Sequence, residues 1–361
     1  MRLRSRAVPH ALSPLGADPA VSVRESRRPT SLECRMRRSA SPFAHLLLGL
    51  GTFLLVLAPL LAWYVKPRVA VNPVDVDTTA VYTGTGSVFD TGRARTVPDR
   101  EITVTQRVRG DVADSERSGH AAVWDVVTSV DTADTLPAAD PHDALDFVPH
   151  RWVSDRRTNR PVHCCGEQPY IEGEAYLKFP FGVQKRPYRW WDNTLGAPVT
   201  LRYRGVREVL GHEGYRFTGS VPAARTGTRL VPGGLVGEPD RPQVLAEEWY
   251  ANHGIELVVD QVTGRVLDAR TGPRRTLRAP GAGRDAAVLL DSRKLAFTPA
   301  TQRAAVEQAV KNRDQLRLVG RTLPIVAALT GSVLTLVGAV LVLAGRRRPD
   351  SSEPSAALRT I

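Results

Sequence analysis

The sequence predicts a mainly β protein of the α+β class: an extracytoplasmic antiparallel β domain, one reading of which is two related β units, flanked by two transmembrane helices. Three observations predict it. Phe43–Val65 and Thr322–Ala344 are 23-residue stretches without Asp, Glu, Lys or Arg. Between them run short segments in which β-branched and polar residues alternate, separated by Asp, Asn and Gly. Arginines crowd the outer flanks of both apolar stretches.

At 1.5 Å rise per residue each apolar stretch reaches about 35 Å, enough for a hydrocarbon core of roughly 30 Å. A buried globular helix of this length normally keeps one charged face. A signal peptide competes for the first stretch. Its apolar region would run only about 7–15 residues and end in a clean Ala-x-Ala site, and neither condition is met. Trp63 and Tyr64 suit an interfacial belt at the outer end of an uncleaved anchor.

The formal charge of +12 raises nucleic acid as a partner, and its distribution argues against one. Residues 1–42 hold nine Arg and three acids, and residues 345–361 four Arg and two acids, which leaves +4 for everything between. Arg37 and Arg38 precede the first stretch; Arg346, Arg347 and Arg348 follow the second. This positive-inside pattern predicts cytoplasmic termini, a plasma-membrane protein with two spans, and a domain outside.

Residues 1–42 read as a disordered cytoplasmic tail, rich in Arg, Pro and Ser without periodicity. Met36-Arg37-Arg38 reads as a translation start, with a genuine longer tail as the alternative. Residues 43–65 form the first span, 66–298 the β domain, 299–321 an amphipathic helix, 322–344 the second span and 345–361 a second cytoplasmic tail.

Within the domain, Glu101–Val108, Ala122–Val130, Pro198–Tyr203 and Tyr215–Val221 alternate as half-buried strands do. Ile255–Val259, a turn at Asp260–Arg265, and Val266-Leu267 read as strand, turn, strand. Asp155–Arg160 shares the pattern Asp-x-x-Thr-(Asn/Gly)-Arg with Asp260–Arg265, and Asp192–Gly196 is a looser relative. The recurrence points to two related β units, or to a chance likeness between hairpins. At 299–321 the residues Ala305, Val306, Ala309 and Val310 recur at helical spacing among charged residues.

Two constellations stand out as candidate sites. Cys164 and Cys165 are adjacent, and no other cysteine lies in the domain. Outside the cytoplasm they are expected to pair with each other, as a vicinal disulfide pinning a sharp turn, or with another chain; a metal site is disfavoured because contiguous ligands wrap a tetrahedral ion poorly. Tyr188, Arg189, Trp190 and Trp191 form the densest aromatic cluster, suited to core packing or to contact with a sugar or lipid edge. Gly84-Thr85-Gly86-Ser87 is too short for a phosphate loop, and no metalloprotease or nucleophile-elbow motif occurs. No catalytic residue, metal or other cofactor is predicted.

Val81–Ser87, Cys164–Glu167, Phe179-Pro180-Phe181-Gly182 and Tyr188–Asp192 resemble the actinobacterial porin PorA-like family of membrane proteins, long described only as a domain of unknown function. The resemblance covers most of residues 36–345. It implies an actinobacterial envelope location and brings no catalytic residues. In topology alone, the double anchor is similar to animal lipid scavenger receptors. The expected function is a non-catalytic binding or structural module whose partners are the bilayer and lipid or wall components. The alternative is an oligomeric channel or porin-like transport component, since neither apolar stretch carries a polar stripe to line a pore.

Overall fold

The computed structural model describes residues 42–135 and 144–346. Residues 1–41 and 347–361, which hold Arg37, Arg38, Arg347, Arg348 and nearly all of both predicted tails, lie outside the described residues.

The first helix, α1 (Pro42–Pro59), passes into a π-helical segment, Leu60–Val65, and a last turn, α2 (Lys66–Val69). Pro59, which lacks an amide N–H, sits where the regular ladder gives way. The chain then builds β1 (Asp77–Asp90), β2 (Arg95–Gly110), a short α3 (Val112–Ser118), β3 (Ala121–Thr132) and β4 (Asp146–Asp155). A long loop leads to β5 (Tyr188–Asp192), β6 (Ala197–Val209), β7 (His212–Pro232), β8 (Gln243–Asp260), β9 (Val266–Arg278), β10 (Ala287–Asp291) and β11 (Leu295–Phe297). Helix α4 (Pro299–Arg317) continues through a second π segment, Leu318–Thr322, into α5 (Leu323–Arg346).

All the strands belong to one antiparallel sheet, ordered β4-β3-β2-β1-β10-β9-β8-β7-β6-β5. Short strands β10 and β11 share one lane between β1 and β9: β10 pairs Ser87 and Val88, and β11 pairs Tyr82 and Thr83. The two glycines of Gly84-Thr85-Gly86 serve this lane. A Cβ at Gly84 would lie 2.4 Å from the Lys294 carbonyl oxygen, and one at Gly86 would lie 2.3 Å from that of Asp291. The sheet ends approach each other. Trp124 and Trp152 of β3 and β4 share a core with Trp191 of β5 through Ile171 and Tyr176 of the long loop.

The three turns share a construction. Asp155 Oδ1 accepts from the Thr158 N–H (2.7 Å) and hydroxyl (2.9 Å). Asp260 Oδ1 accepts from the Thr263 N–H (2.6 Å) and hydroxyl (2.7 Å). Asp192 Oδ1 takes the Thr194 and Leu195 N–H groups, both at 3.0 Å. Each turn closes on a left-handed residue, Asn159, Gly264 or Gly196, the residue types that accept positive φ.

The segments read separately as residues 299–321 and 322–344 form one unbroken 46-residue helix, Pro299–Ala344. Thr298 caps it by accepting from the Thr301 N–H, and Pro299 occupies the first turn. Buried Thr301, Ala305 and Ala309 lay α4 on the sheet, with Ala309 against Val209, Val258 and Leu267. Gln302 Nε2 donates to Asp268 Oδ1 at 2.8 Å.

Both apolar helices are long and apolar enough to cross a bilayer. They pack on each other through small residues. Ala44, Gly51 and Ala58 are the buried positions of α1, spaced by seven; Pro324, Gly331 and Gly338 are buried at the same spacing on α5. Large residues such as Phe43, Phe53, Leu329 and Leu336 face outward. Small residues let helix backbones approach where lipid gives no hydrophobic drive for association.

Candidate functional site

The site is a cavity of about 240 Å³ on the inner face of the curled sheet. Its apolar walls include Val104, Val130, Val148, Ile255, Leu257, Leu290 and Leu295, contributed by six strands. Tyr82 enters from β1, and Trp190 and Trp191 from β5. The curl brings these groups together, because alternate residues of each strand face the same interior.

One part of the lining is polar and internally bonded. Tyr250 donates its hydroxyl hydrogen to Asp192 Oδ2 at 2.9 Å. Asn252 Nδ2 donates to Tyr250 Oη at 3.0 Å and to Thr271 Oγ1 at 2.8 Å. Asn252 Oδ1 accepts from the N–H groups of Gly254 (3.2 Å) and Gly272 (3.1 Å), which fixes the amide orientation. Burial pushes the Asp192 carboxyl above its ordinary range, against the three hydrogen bonds that favour the carboxylate. Arg275 reaches the rim and pairs with Asp146.

The predicted aromatic cluster divides between two roles. Tyr188 is buried against Phe179 and Phe217, and Trp191 packs in the second core. Trp190 and Trp191 also line the cavity. Arg189 faces outward toward Glu172. The residues that give the cavity its polar end, Asp192, Tyr250, Asn252 and Thr271, are not among the predicted site residues. Asp192 directly follows the cluster, but the other three come from β8 and β9 and show no local signature.

Cys164 and Cys165 do not line this cavity; they pack beside Val153 of β4, with their sulfurs at disulfide distance. Cys165 and Gly166 both have positive φ, 58° and 75°, and the Glu167 N–H donates to the Cys164 carbonyl at 3.1 Å. These positive φ angles and this hydrogen bond close a tight turn. Arg151 holds it: Nε donates to the Cys165 carbonyl at 3.1 Å, while the guanidinium pairs with Asp111 and Asp125 at 2.7 and 2.8 Å. Among the described residues no group of three His, Cys, Asp or Glu side chains is arranged to hold a metal ion.

His150 lies beside the cavity wall with its Nε2 hydrogen-bonded to the Tyr176 hydroxyl. Burial pushes the imidazole down to about 4. The folded state therefore keeps His150 neutral, while the unfolded chain takes up a proton below about 6.5. Stability is expected to fall as pH drops from about 6.5 to 4, by up to about 3 kcal/mol from this group. Denaturant melts of the wild type and His150→Gln across that range check it; the variant should lose that part of the slope.

The family model described as Porin PorA matches residues 43–340, from the start of the first apolar helix to near the end of the second. The chain belongs to the porin PorA family. No curated protein matches it. The PorA match spans the cavity, the cysteine turn and both apolar helices, so these features all lie inside the family's shared extent.

In the β domain of this PorA member the sheet path among the described residues is open, ending at β4 and β5. The outer face of β6 presents Arg202, Arg204 and Glu208 to solvent, where a membrane barrel presents an apolar band.

Proposed function

We propose that this protein is a non-catalytic transport component of the cell envelope, whose extracytoplasmic domain binds part of an amphiphile in the cavity of its curled sheet. The observation that carries the reading is the division of the lining: Val, Ile and Leu walls meet an end formed by Asp192, Tyr250, Asn252 and Thr271. A cavity of roughly 150 Å³ lined by such residues already accepts benzene. At about 240 Å³ the site takes one alkyl segment or ring with its polar attachment, not a whole two-chain lipid. Binding pockets commonly combine apolar walls with a few placed polar groups.

In this reading both helices are spans, both termini are cytoplasmic, and the helices hold the cavity close to its lipid source. Gly254 is exposed, and nothing lies within 4 Å of an added Cβ. Gly254→Cys should react with an impermeant thiol reagent added outside intact cells, and Ser352→Cys should not; the reverse result would refute the orientation.

Binding is tested with a fluorescent single-chain amphiphile and the full-length protein in nanodiscs. The wild type should bind saturably. Val130→Trp, which fills the cavity, should abolish binding. Tyr250→Phe, which removes the hydroxyl between Asp192 and Asn252, should weaken it about ten-fold, the scale of one hydrogen bond to a charged partner. Equal binding by all three would reject the site.

The family's description as a porin favours a second reading, an oligomeric channel. The closely packed helix pair leaves outward faces of Phe, Leu and Val without a polar stripe, so a pore would require surfaces from several copies. Stepwise conductance from purified protein in planar bilayers would favour this reading over the first.

A further inference from the structure

A second site, none of whose residues lines the cavity, lies where the first helix leads into the domain. Lys178 and Arg265 are cross-strand partners in an isolated antiparallel bridge, locked by the Phe179 N–H donating to the Gly264 carbonyl at 2.8 Å. Directly opposed residues of this kind hold their Cβ atoms about 5 Å apart on one face, where like charges repel. Among the described residues the Arg265 side chain has no hydrogen bond and no ion pair. Lys178 donates to the Asn72 Oδ1 and lies 3.8 Å from the centre of the Phe181 ring. Asn72 in turn donates to Asn159 Oδ1 at 2.8 Å.

The nearest carboxylate does not neutralise the pair. Asp260 Oδ1 is taken by Val262, Thr263 N–H and the Thr263 hydroxyl, and Oδ2 by His212 at 2.8 Å. With Lys178 protonated, two cations face one fully engaged carboxylate, and the five guanidinium donors of Arg265 are free in either state of Lys178. A planar guanidinium beside an ammonium is the arrangement that recognises a tetrahedral oxyanion.

We propose that Lys178 and Arg265, with Asn72 beside them, form a binding site for a phosphate-type oxyanion. The site begins three residues beyond the end of α2, at Asn72. That spacing puts it within reach of a lipid headgroup at the outer membrane surface, and a free phosphate has the same chemistry. The inference does not depend on what the cavity binds.

Lys178 supplies the readout. Burial and the charge of Arg265 push its ammonium down to about 7, so at pH 7.5 the amine is largely neutral and reactive. A bound oxyanion favours the charged form and slows acylation. The chain has five lysines, so labelling can be followed by peptide mass spectrometry of the full-length protein.

Phosphate, compared with chloride at equal ionic strength, should slow labelling of Lys178 roughly five-fold while Lys185 and Lys294 are unchanged. Reconstitution in phosphatidylglycerol vesicles, compared with phosphatidylcholine vesicles, tests the headgroup. Slowing by the vesicles alone assigns a lipid headgroup; slowing by phosphate as well assigns an open oxyanion site. Arg265→Gln should abolish the effect of either. No change with both probes, or the same change in Arg265→Gln, would overturn the proposal. Should the variant fail to fold, the wild-type comparison decides alone.

Discussion

Gly264→Val is expected to prevent the β domain from folding. Gly264 has φ of +74°, a conformation a β-branched residue does not tolerate, and a Cβ there would lie 2.1 Å from the Phe179 carbonyl oxygen and 2.6 Å from that of Pro180. Both neighbours are backbone, so neither can swing aside. The same strand passage carries Lys178, Phe179 and the buried aromatic core around Phe217. Strain plus displacement of a core segment puts the cost above about 4 kcal/mol. Gly196→Ala is the control: its φ is +68° but nothing lies within 4 Å of the new Cβ, so only the backbone term of about 1 kcal/mol remains. Chemical denaturation should separate the two by several kcal/mol. Similar losses would show that the Phe179–Gly264 contact does not govern this turn.

Gly51→Leu is expected to separate the helix pair. A Cβ at Gly51 would meet Thr335 Oγ1 at 2.4 Å, the Thr335 nitrogen at 2.5 Å and the Gly331 carbonyl oxygen at 2.9 Å. The close approach of α1 and α5 leaves no room for a side chain. Overpacking of this kind costs about 1–3 kcal/mol in a core that can shift, and more where backbone must move. Gly49→Leu should be silent, since nothing lies within 4 Å of a Cβ at Gly49. Thermal melts in nanodiscs read the difference. A Gly51→Leu variant that melts like the wild type would contradict the packing.

The elements written in the sequence are those whose cause is local. Uncharged 23-residue stretches need no partner to declare themselves, and the Asp-x-x-Thr turns carry their own hydrogen bonds at Asp155 and Asp260. Strands β2, β3, β6 and β7 show through alternation, and β8 and β9 through the Asp260–Arg265 turn between them, although β7 runs well past the alternating core, to Pro232. Strand β4 was obscured by Pro149 and by its mixture of His, Arg and Trp, and β10 and β11 are too short to show a period. Helix α3 lacks an apolar stripe and is set by Asp111 capping it at one end and Gly119 closing it at the other.

The cavity has no sequence signature because its parts are dispersed. Tyr82, Val130, Trp190, Tyr250 and Leu295 come from five strands, and only the curl of the sheet makes them neighbours. The aromatic cluster lies on β5, and its sequence could not show that Trp190 opens on the cavity while Tyr188 is core. Lys178 and Arg265 were equally hidden, since each is an ordinary basic residue until the bridge places them face to face.

The claim that the domain is a receptacle is tested most directly by native mass spectrometry of the full-length protein released from nanodiscs. The account predicts one retained amphiphile per chain in the wild type and none in Val130→Trp. A wild-type chain that arrives without a bound amphiphile, or a Val130→Trp chain that retains one equally well, would contradict it.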